Sequence, residues 1–224
     1  MTDHDSSLTA PLIAIERHRL VTDGEGVTTL VAFHGCPLRC RYCINSQCLD
    51  PARVWRTITP NELVGELAID NLYFLATGGG VTFGGGEPLL RSEFIHAFAG
   101  LCVPQWSINV ETSLNVHRHH LELVLPHVRW WLIDIKDTNE DIYRRYTGRD
   151  NALVLSNLQW LLQKVPSEQV TVRLPHIPGY NTDADVSRSR ARLASLGVTQ
   201  FDEFTYRLPP SSQASQEKAE PYFQ

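Results

Sequence analysis

The chain is predicted to be an α/β protein built on a parallel sheet with helical crossovers, and three observations point there. Short β-branched, apolar runs alternate with amphipathic segments along most of the length, the order in which helices carry the chain between parallel strands. No Pro/Gly/Ser-rich linker interrupts the alternation, so one domain holds it. Reactive residues recur just after successive strands, where such sheets and barrels bind their ligands.

Taken in order, residues 1–12 are polar and without period, and are expected to be loose. Ile13 to Leu20 forms a short strand or ribbon, and Asp23-Gly24-Glu25-Gly26 is a turn signal. Thr28 to Phe33 is a buried strand leading into a cysteine-rich loop. Thr59 caps a helix that carries Pro60 in its first turn and Glu62 as a capping-box partner. Its apolar positions Leu63, Leu67, Leu72 and Leu75 run on toward Gly78. Gly80 to Gly84 is the second strand, and Ser92 opens a helix with Phe94, Ile95, Phe98 and Leu101 on one face.

Ser107 to Glu111 is the third strand, followed by a His-rich helix around Leu121 to Leu125. Trp130 to Ile135 is the fourth, apolar enough to have both faces covered. Helices near Glu140–Tyr146 and Ala152–Gln163 precede the fifth strand, Val170 to Leu174. A helix from Asp183 to Leu196 stops at Gly197, and Phe201 to Tyr206 is the sixth strand. The domain is expected to span residues 13–208, with a polar, flexible tail at 209–224.

The 224 residues suffice for one substantial core. A hydrophobic content of 42% and a net charge of −5 suit a soluble protein and argue against a nucleic-acid binder. No signal peptide or membrane-length apolar run occurs, and the cysteine count is odd. These features fit a reducing cytoplasm, with no membrane partner.

Three of the five cysteines fall in Cys36-Pro37-Leu38-Arg39-Cys40-Arg41-Tyr42-Cys43, spaced C-x3-C-x2-C. Three thiolates in a tight loop can converge on one soft metal centre, and three ligands leave a position open for chemistry. A cubane iron–sulfur cluster with one free iron fits that count. The competing reading closes a structural zinc site with Cys48, or with His34, as the fourth ligand. His117, His119 and His120 do not share one helical face and read as a solvated helix start. Cys102 and Trp55 read as packing residues.

The remaining candidates end consecutive strands. Gly84-Gly85-Gly86-Glu87 lets a ligand approach the backbone closely, and Glu87 can accept from an ammonium group. Glu111 and Thr112 end the third strand. Asp134 and Lys136 share one face of the fourth, as an internal ion pair or the floor of a polar site. Arg173 offers a fork for a carboxylate. A cluster loop, acids, a Lys–Asp pair and an arginine thus meet at one rim.

These residues resemble a family. Cys36 to Cys43 resembles the cluster loop of radical S-adenosylmethionine (SAM) enzymes, and Gly85-Gly86-Glu87 resembles their methionine-binding motif. Within the superfamily, the chain resembles glycyl-radical-enzyme activating enzymes of the pyruvate formate-lyase activase type. That likeness is carried by Asp23-Gly24-Glu25-Gly26, Cys43-Ile44-Asn45, Gly78-Gly79-Gly80-Val81-Thr82, Asp134-Ile135-Lys136, Tyr146-Thr147-Gly148 and Ile177-Pro178-Gly179.

The resemblance implies an open, partial TIM-type barrel of about six βα units. It implies a [4Fe–4S] cluster on Cys36, Cys40 and Cys43, and SAM on the open iron. Tyr42 would lie beside the cluster, Gly85, Gly86 and Glu87 would take the methionine ammonium end, and Lys136 and Arg173 the carboxylate or ribose. In some relatives the positions of Glu111, Thr112 and Asp134 hold a monovalent cation, with an aspartate where Glu111 stands here. The implied partners are a glycyl-radical enzyme, as protein substrate, and a low-potential electron donor such as flavodoxin or ferredoxin. Glu25 replaces the usual proline of Asp-Gly-Pro-Gly, and Leu208-Pro209-Pro210-Ser211 stands where a histidine is expected. A small-molecule radical enzyme such as a 7-carboxy-7-deazaguanine synthase is the alternative of similar length. A non-catalytic metal-binding interaction protein is the other.

Overall fold

The computed structural model describes residues 8–20 and 22–206. The tail expected at 209–224 and Leu208 lie outside the described residues. Strands β1 Ala10–Leu20, β2 Val27–Phe33, β3 Arg56–Ile58, β4 Gly80–Gly85, β5 Ser107–Thr112, β6 Trp130–Asp134, β7 Val170–His176 and β8 Gln200–Thr205 form one sheet. Helices α1 Pro60–Leu67, α2 Asn71–Thr77, α3 Ser92–Leu101, α4 Arg118–Val124, α5 Glu140–Thr147, α6 Ala152–Leu161 and α7 Asp183–Ser195 lie between them.

The spatial order is β3-β1-β2-β4-β5-β6-β7-β8. From β2 to β8 every pairing is parallel, which supplies the six predicted strands. The sheet does not close, and β3 and β8 are its edges. This is the expected open, partial barrel. No helix among the described residues is long and apolar enough to cross a membrane.

Two pieces of the sheet differ from expectation. β1 starts at Ala10, inside the segment expected to be loose to residue 12, because Ala10 and Leu12 are buried and pair with Ile58 and Arg56. β1 is also antiparallel to β2, so it is a hairpin arm added to the parallel array. The three-residue β3 has no counterpart among the strands expected from the sequence.

Alternation along each strand separates two environments. One face carries Val31, Phe83, Val110, Ile133 and Val172 into a core shared with the helices. Phe33 stacks on Phe83 at 5.4 Å, and Phe94 and Phe98 meet these rings edge-on at 5.4 and 5.2 Å, each such pair adding about 0.5–1.5 kcal/mol beyond burial. The opposite face lines a lumen of about 790 Å³, with Leu132, Thr171, Arg173 and Asp202 among its walls. Trp130 and Leu132 also line it, so the second face of β6 meets a cavity rather than a helical layer.

Local signals explain the helix ends. Thr59 and Glu62 form the capping box, with Thr59 N donating to Glu62 Oε2 at 2.8 Å and Glu62 N to Thr59 Oγ1 at 3.2 Å. The expected continuous helix to Gly78 breaks at a 3-10 turn, Ala68–Asp70, before α2. That turn rotates the apolar stripe, so Phe74 is buried while Leu72 and Leu75 face out. α7 ends before Gly197, which takes φ +106°.

The Thr22–Gly26 turn folds into the lumen. Thr82 Oγ1 and Asn109 Nδ2 donate to Asp23 O at 2.6 and 3.1 Å, and the Asp23 carboxylate is paired with Arg19. Gly24 sits at φ +126°, and a Cβ there would lie 2.4 Å from Asn109 Nδ2. Only glycine fits so close an approach.

Candidate active site

β2 delivers the cysteine loop, and backbone hydrogen bonds fix it on three sides. Gly86 N donates to Phe33 O at 2.9 Å and Glu87 N to Gly35 O at 2.8 Å, joining the loop to the glycine turn after β4. Arg39 N and Arg41 N donate to Thr147 O and Tyr146 O at 2.8 and 3.1 Å. Gly35 N donates to Cys48 O at 2.9 Å. The Tyr146-Thr147-Gly148 segment is therefore the loop's brace, and Gly148 turns the chain out of α5 at φ +76°.

Cys36, Cys40 and Cys43 line one inner cavity of about 140 Å³, with Gly85 and Gly86 on another wall. Glu111, Asp134, Lys136 and Arg173 complete it. Ile44, Asn45, Glu111 and Arg173 line both this cavity and the lumen, so the two compartments adjoin. The strand-end residues singled out from the sequence are thus largely brought together.

Two are not. The ring of Tyr42 packs edge-on against Tyr146 at 6.0 Å and Tyr180 at 5.6 Å, and it does not line the cavity. Glu87 is 1% exposed. Its carboxylate accepts from Thr112 Oγ1 (2.6 Å), Ser113 N (2.9 Å), Ser113 Oγ (2.6 Å) and Leu89 N (3.2 Å). It ties the glycine turn to the end of β5 instead of reaching the cavity. Burial is the main influence raising its pKa, opposed by those hydrogen bonds.

Lys136 Nζ lies 3.3 Å from Asp134 Oδ2 and donates to Tyr206 Oη at 3.0 Å. Burial works against its charge, but Asp134 and Tyr206 outweigh it and hold its pKa well above normal. Arg173 donates to Glu111 Oε1 at 2.6 Å and to Thr22 O at 2.9 Å. Burial, with Asp23 and Asp134 nearby, pushes Glu111 up to about 7 against the pull of Arg173. One oxygen of Glu111 is committed to that arginine. Among the described residues, no three His, Cys, Asp or Glu side chains form a site for a single metal ion.

The thiols divide. Burial pushes Cys36 up to about 12 and Cys40 up to about 11. The neighbouring Cys48 thiol brings Cys43 down to about 6 against its burial. Loading this loop with metal therefore releases protons from at least two thiols.

Three residues beyond the predicted set enter the site. Asn45 Nδ2 donates to Gly85 O at 2.9 Å, Ser113 holds Glu87, and Tyr206 meets Lys136. Asn45 was visible as the residue two beyond the last loop cysteine. Nothing local marked Ser113 or Tyr206. Of the packing candidates, Cys102 is half-buried and Trp55 is exposed, with Arg56 stacked over it at 4.3 Å.

The residues fit an iron–sulfur cluster with an amino-acid ligand. Three soft thiols come from one loop, facing a lysine, an arginine and acids that suit a zwitterion. The glycine wall is shaped for close contact. Gly85 takes φ +93°, and a Cβ on Gly86 would lie 2.2 Å from Gly35 O.

Residues 30–187 match the model of the Radical SAM superfamily. The pyruvate formate-lyase-activating enzyme of Staphylococcus aureus (strain USA300) is 33% identical over 171 residues, covering 73% of this chain and 67% of that protein. A solved domain of the pyruvate-formate lyase-activating enzyme from Bacteroides vulgatus ATCC 8482 is 28% identical with a TM-score of 0.51. It covers 62% of this chain and 89% of that one. Streptococcus suis SuiB bound to S-adenosylmethionine shares the fold, at 11% identity and a TM-score of 0.55 over 81% of this chain and 43% of its own. With the cysteine loop, the glycine turn and the open parallel sheet in one place, the chain belongs to the radical SAM superfamily and, within it, to the pyruvate formate-lyase-activating enzyme family.

Proposed function

We propose that this radical SAM enzyme activates a glycyl-radical enzyme by removing a hydrogen atom from one backbone glycine of that partner. Cys36, Cys40 and Cys43 would hold a [4Fe–4S] cluster, which would supply the single electron needed to cleave SAM reductively and so generate the species that abstracts the glycine hydrogen. The observation that carries the reading is the junction of the cysteine cavity with the lumen. Reactive chemistry confined to about 140 Å³ opens there onto about 790 Å³ beside an open sheet edge, room for an inserted peptide segment.

In this reading Cys36, Cys40 and Cys43 would hold the cluster and leave one position open for SAM. Gly85 and Gly86 present backbone to the methionine end, and Lys136, steadied by Asp134 and Tyr206, receives the carboxylate. Arg173, fixed by Glu111, stands between cofactor and lumen. Glu87 acts from behind, by locking the glycine turn to Ser113 and Thr112. Tyr42 acts from outside, bracing the cysteine loop against Tyr146 and Tyr180.

The test is anaerobic reconstitution, reduction, addition of SAM, and then a candidate glycyl-radical partner, followed by electron paramagnetic resonance. A glycyl-radical doublet formed in step with 5′-deoxyadenosine is expected. 5′-Deoxyadenosine formed with no protein radical on any such partner, or turnover of a small-molecule substrate instead, would overturn the assignment.

A further inference from the structure

We propose that the outer face of the cysteine loop docks an acidic electron-donor protein, recognised by the exposed guanidinium groups of Arg39, Arg41, Arg145 and Arg149. This role presupposes the reductive chemistry proposed above and adds to it the side from which the electron enters.

The four arginines share one rim, and all are exposed. Arg39 and Arg41 lie between the loop cysteines. Arg39 Nη1 donates to Cys36 O and Leu38 O at 2.9 and 3.0 Å. Arg149 Nε donates to Pro37 O at 3.3 Å, which lays the turn after α5 against the loop. Arg145 Nη2 donates to Tyr180 O at 3.2 Å, and the ring of Tyr180 packs on Tyr42. Three of the guanidinium groups are thus oriented by carbonyls, which carry no net charge to cancel theirs. None of the four forms an ion pair among the described residues, whereas Arg144, on the same helix as Arg145, is paired with Glu140.

In a chain of net charge −5, this is a concentrated and uncompensated positive face. The lumen has the opposite sign: its exposed charged residues, Glu16, Glu25 and Asp202, are all acids. An acidic protein is therefore drawn to the outer face of the loop and repelled from the lumen, where the proposed substrate segment enters. Complementary charge speeds such an encounter and rejects the wrong orientation. The three cysteines behind the face are half-buried, so a donor seated there lies one loop's thickness from their sulfurs. The donor loses one electron and the site gains it, with no proton or atom transferred.

The probe is an acidic flavodoxin, whose Kd for the anaerobically reconstituted protein is measured across a range of ionic strength. Arg41→Gln with Arg145→Gln is expected to raise Kd about 2- to 30-fold at low salt and to flatten its salt dependence. Arg41→Glu alone is expected to act in the same direction. The Arg41 side chain has no hydrogen-bond partner among the described residues, so this variant spares the fold. Lys164→Glu changes net charge equally at an exposed position between α6 and β7, and is expected to leave Kd near wild type. With flavodoxin hydroquinone as limiting reductant, SAM cleavage is expected to slow in proportion to Kd, while dithionite-driven cleavage and KM for SAM hold. Unchanged Kd and salt dependence in the arginine variants would overturn the proposal, as would an equal effect of Lys164→Glu. Equal losses with dithionite and with flavodoxin would also overturn it, by making the arginines supports of the metal centre. Failure of the proposed function reads out separately: if a small molecule replaces the glycyl-radical partner, the flavodoxin Kd and its salt dependence still report the docking face.

Discussion

Lys136 Nζ donates a 3.0 Å hydrogen bond to the hydroxyl of Tyr206, seventy residues later in the chain. The bond joins the end of β6 to the residue after β8 and aims a buried ammonium at the cysteine cavity. Tyr206 also sits between Tyr146 and Phe204, at 6.3 and 5.5 Å between ring centroids, so its position is set by packing as well.

Tyr206→Phe keeps the ring and the lysine charge and removes only the bond that positions it, so the lost positioning is expected to cost SAM binding about 0.5–1.5 kcal/mol, less than loss of a contact to the charge itself. KM for SAM is expected to rise about 2- to 10-fold with cluster content unchanged. Lys136→Met removes the charge itself. A lost bond to a charged group costs about 1.5–3 kcal/mol, so roughly a 10- to 150-fold weakening is expected. Equilibrium binding of SAM to the reconstituted protein checks both, and equal effects would argue against Lys136 as the direct contact.

Glu87 separates a structural role from direct cofactor contact. Its carboxylate accepts four hydrogen bonds. Glu87→Gln replaces one acceptor oxygen with an NH2 that faces donors. Leaving buried groups unpaired costs about 1–3 kcal/mol each, so urea melts of the cluster-free variant are expected to show that loss. Were Glu87 a contact for the ammonium of SAM, the same variant would lose SAM affinity with little change in stability.

Gly148 tests the brace on the cysteine loop. It follows the two carbonyls that receive Arg39 N and Arg41 N, and its φ of +76° disfavours any residue with a Cβ. The nearest atom to such a Cβ is Arg39 Cβ at 3.8 Å, an ordinary contact. Gly148→Ala therefore suffers only the backbone penalty, about 1–2 kcal/mol. The variant is expected to fold, with a lower melting temperature and a reduced iron stoichiometry after reconstitution. Full iron loading would show that the loop holds itself.

Much of this site was legible along the chain because parallel α/β folds put strand ends on one rim. Cys36, Gly86, Glu111, Asp134 and Arg173 each follow or end an apolar run that announces its own strand. What stayed hidden depends on partners far apart in sequence. Tyr206 is an ordinary aromatic until β8 is laid beside β7. Glu87 reads as an available acid until Ser113, 26 residues on, saturates it. β3 has only three residues, too few to show alternation, and exists because Leu12 and Ala10 pair with it. Leu72 and Leu75 continue a helical stripe on paper, but the intervening 3-10 turn rotates them outward.

The Arg19–Asp23 pair predicts a pH dependence with a definite sign. Asp23 is 1% exposed, and its backbone carbonyl is the acceptor for Thr82 and Asn109, so this pair pins the Thr22–Gly26 turn inside the lumen. Burial opposes the Asp23 charge, yet Arg19 prevails and keeps its pKa below the usual value of 3.8. A depressed carboxylate contributes stability above its unfolded pKa and loses it as pH falls through the folded value. Arg19→Met strands the buried charge, at a cost of about 3–5 kcal/mol when Asp23 is ionised. Urea denaturation at pH 7 is expected to show that loss, and the gap from wild type is expected to narrow toward pH 3, where the stranded carboxyl of the variant takes up a proton. Arg19→Met with Asp23→Asn removes both charges, and is expected to recover much of the deficit at pH 7 and to flatten its pH dependence. A deficit that stays constant between pH 7 and pH 3 would mean that packing of the Arg19 stem, rather than the ion pair, holds the turn in place.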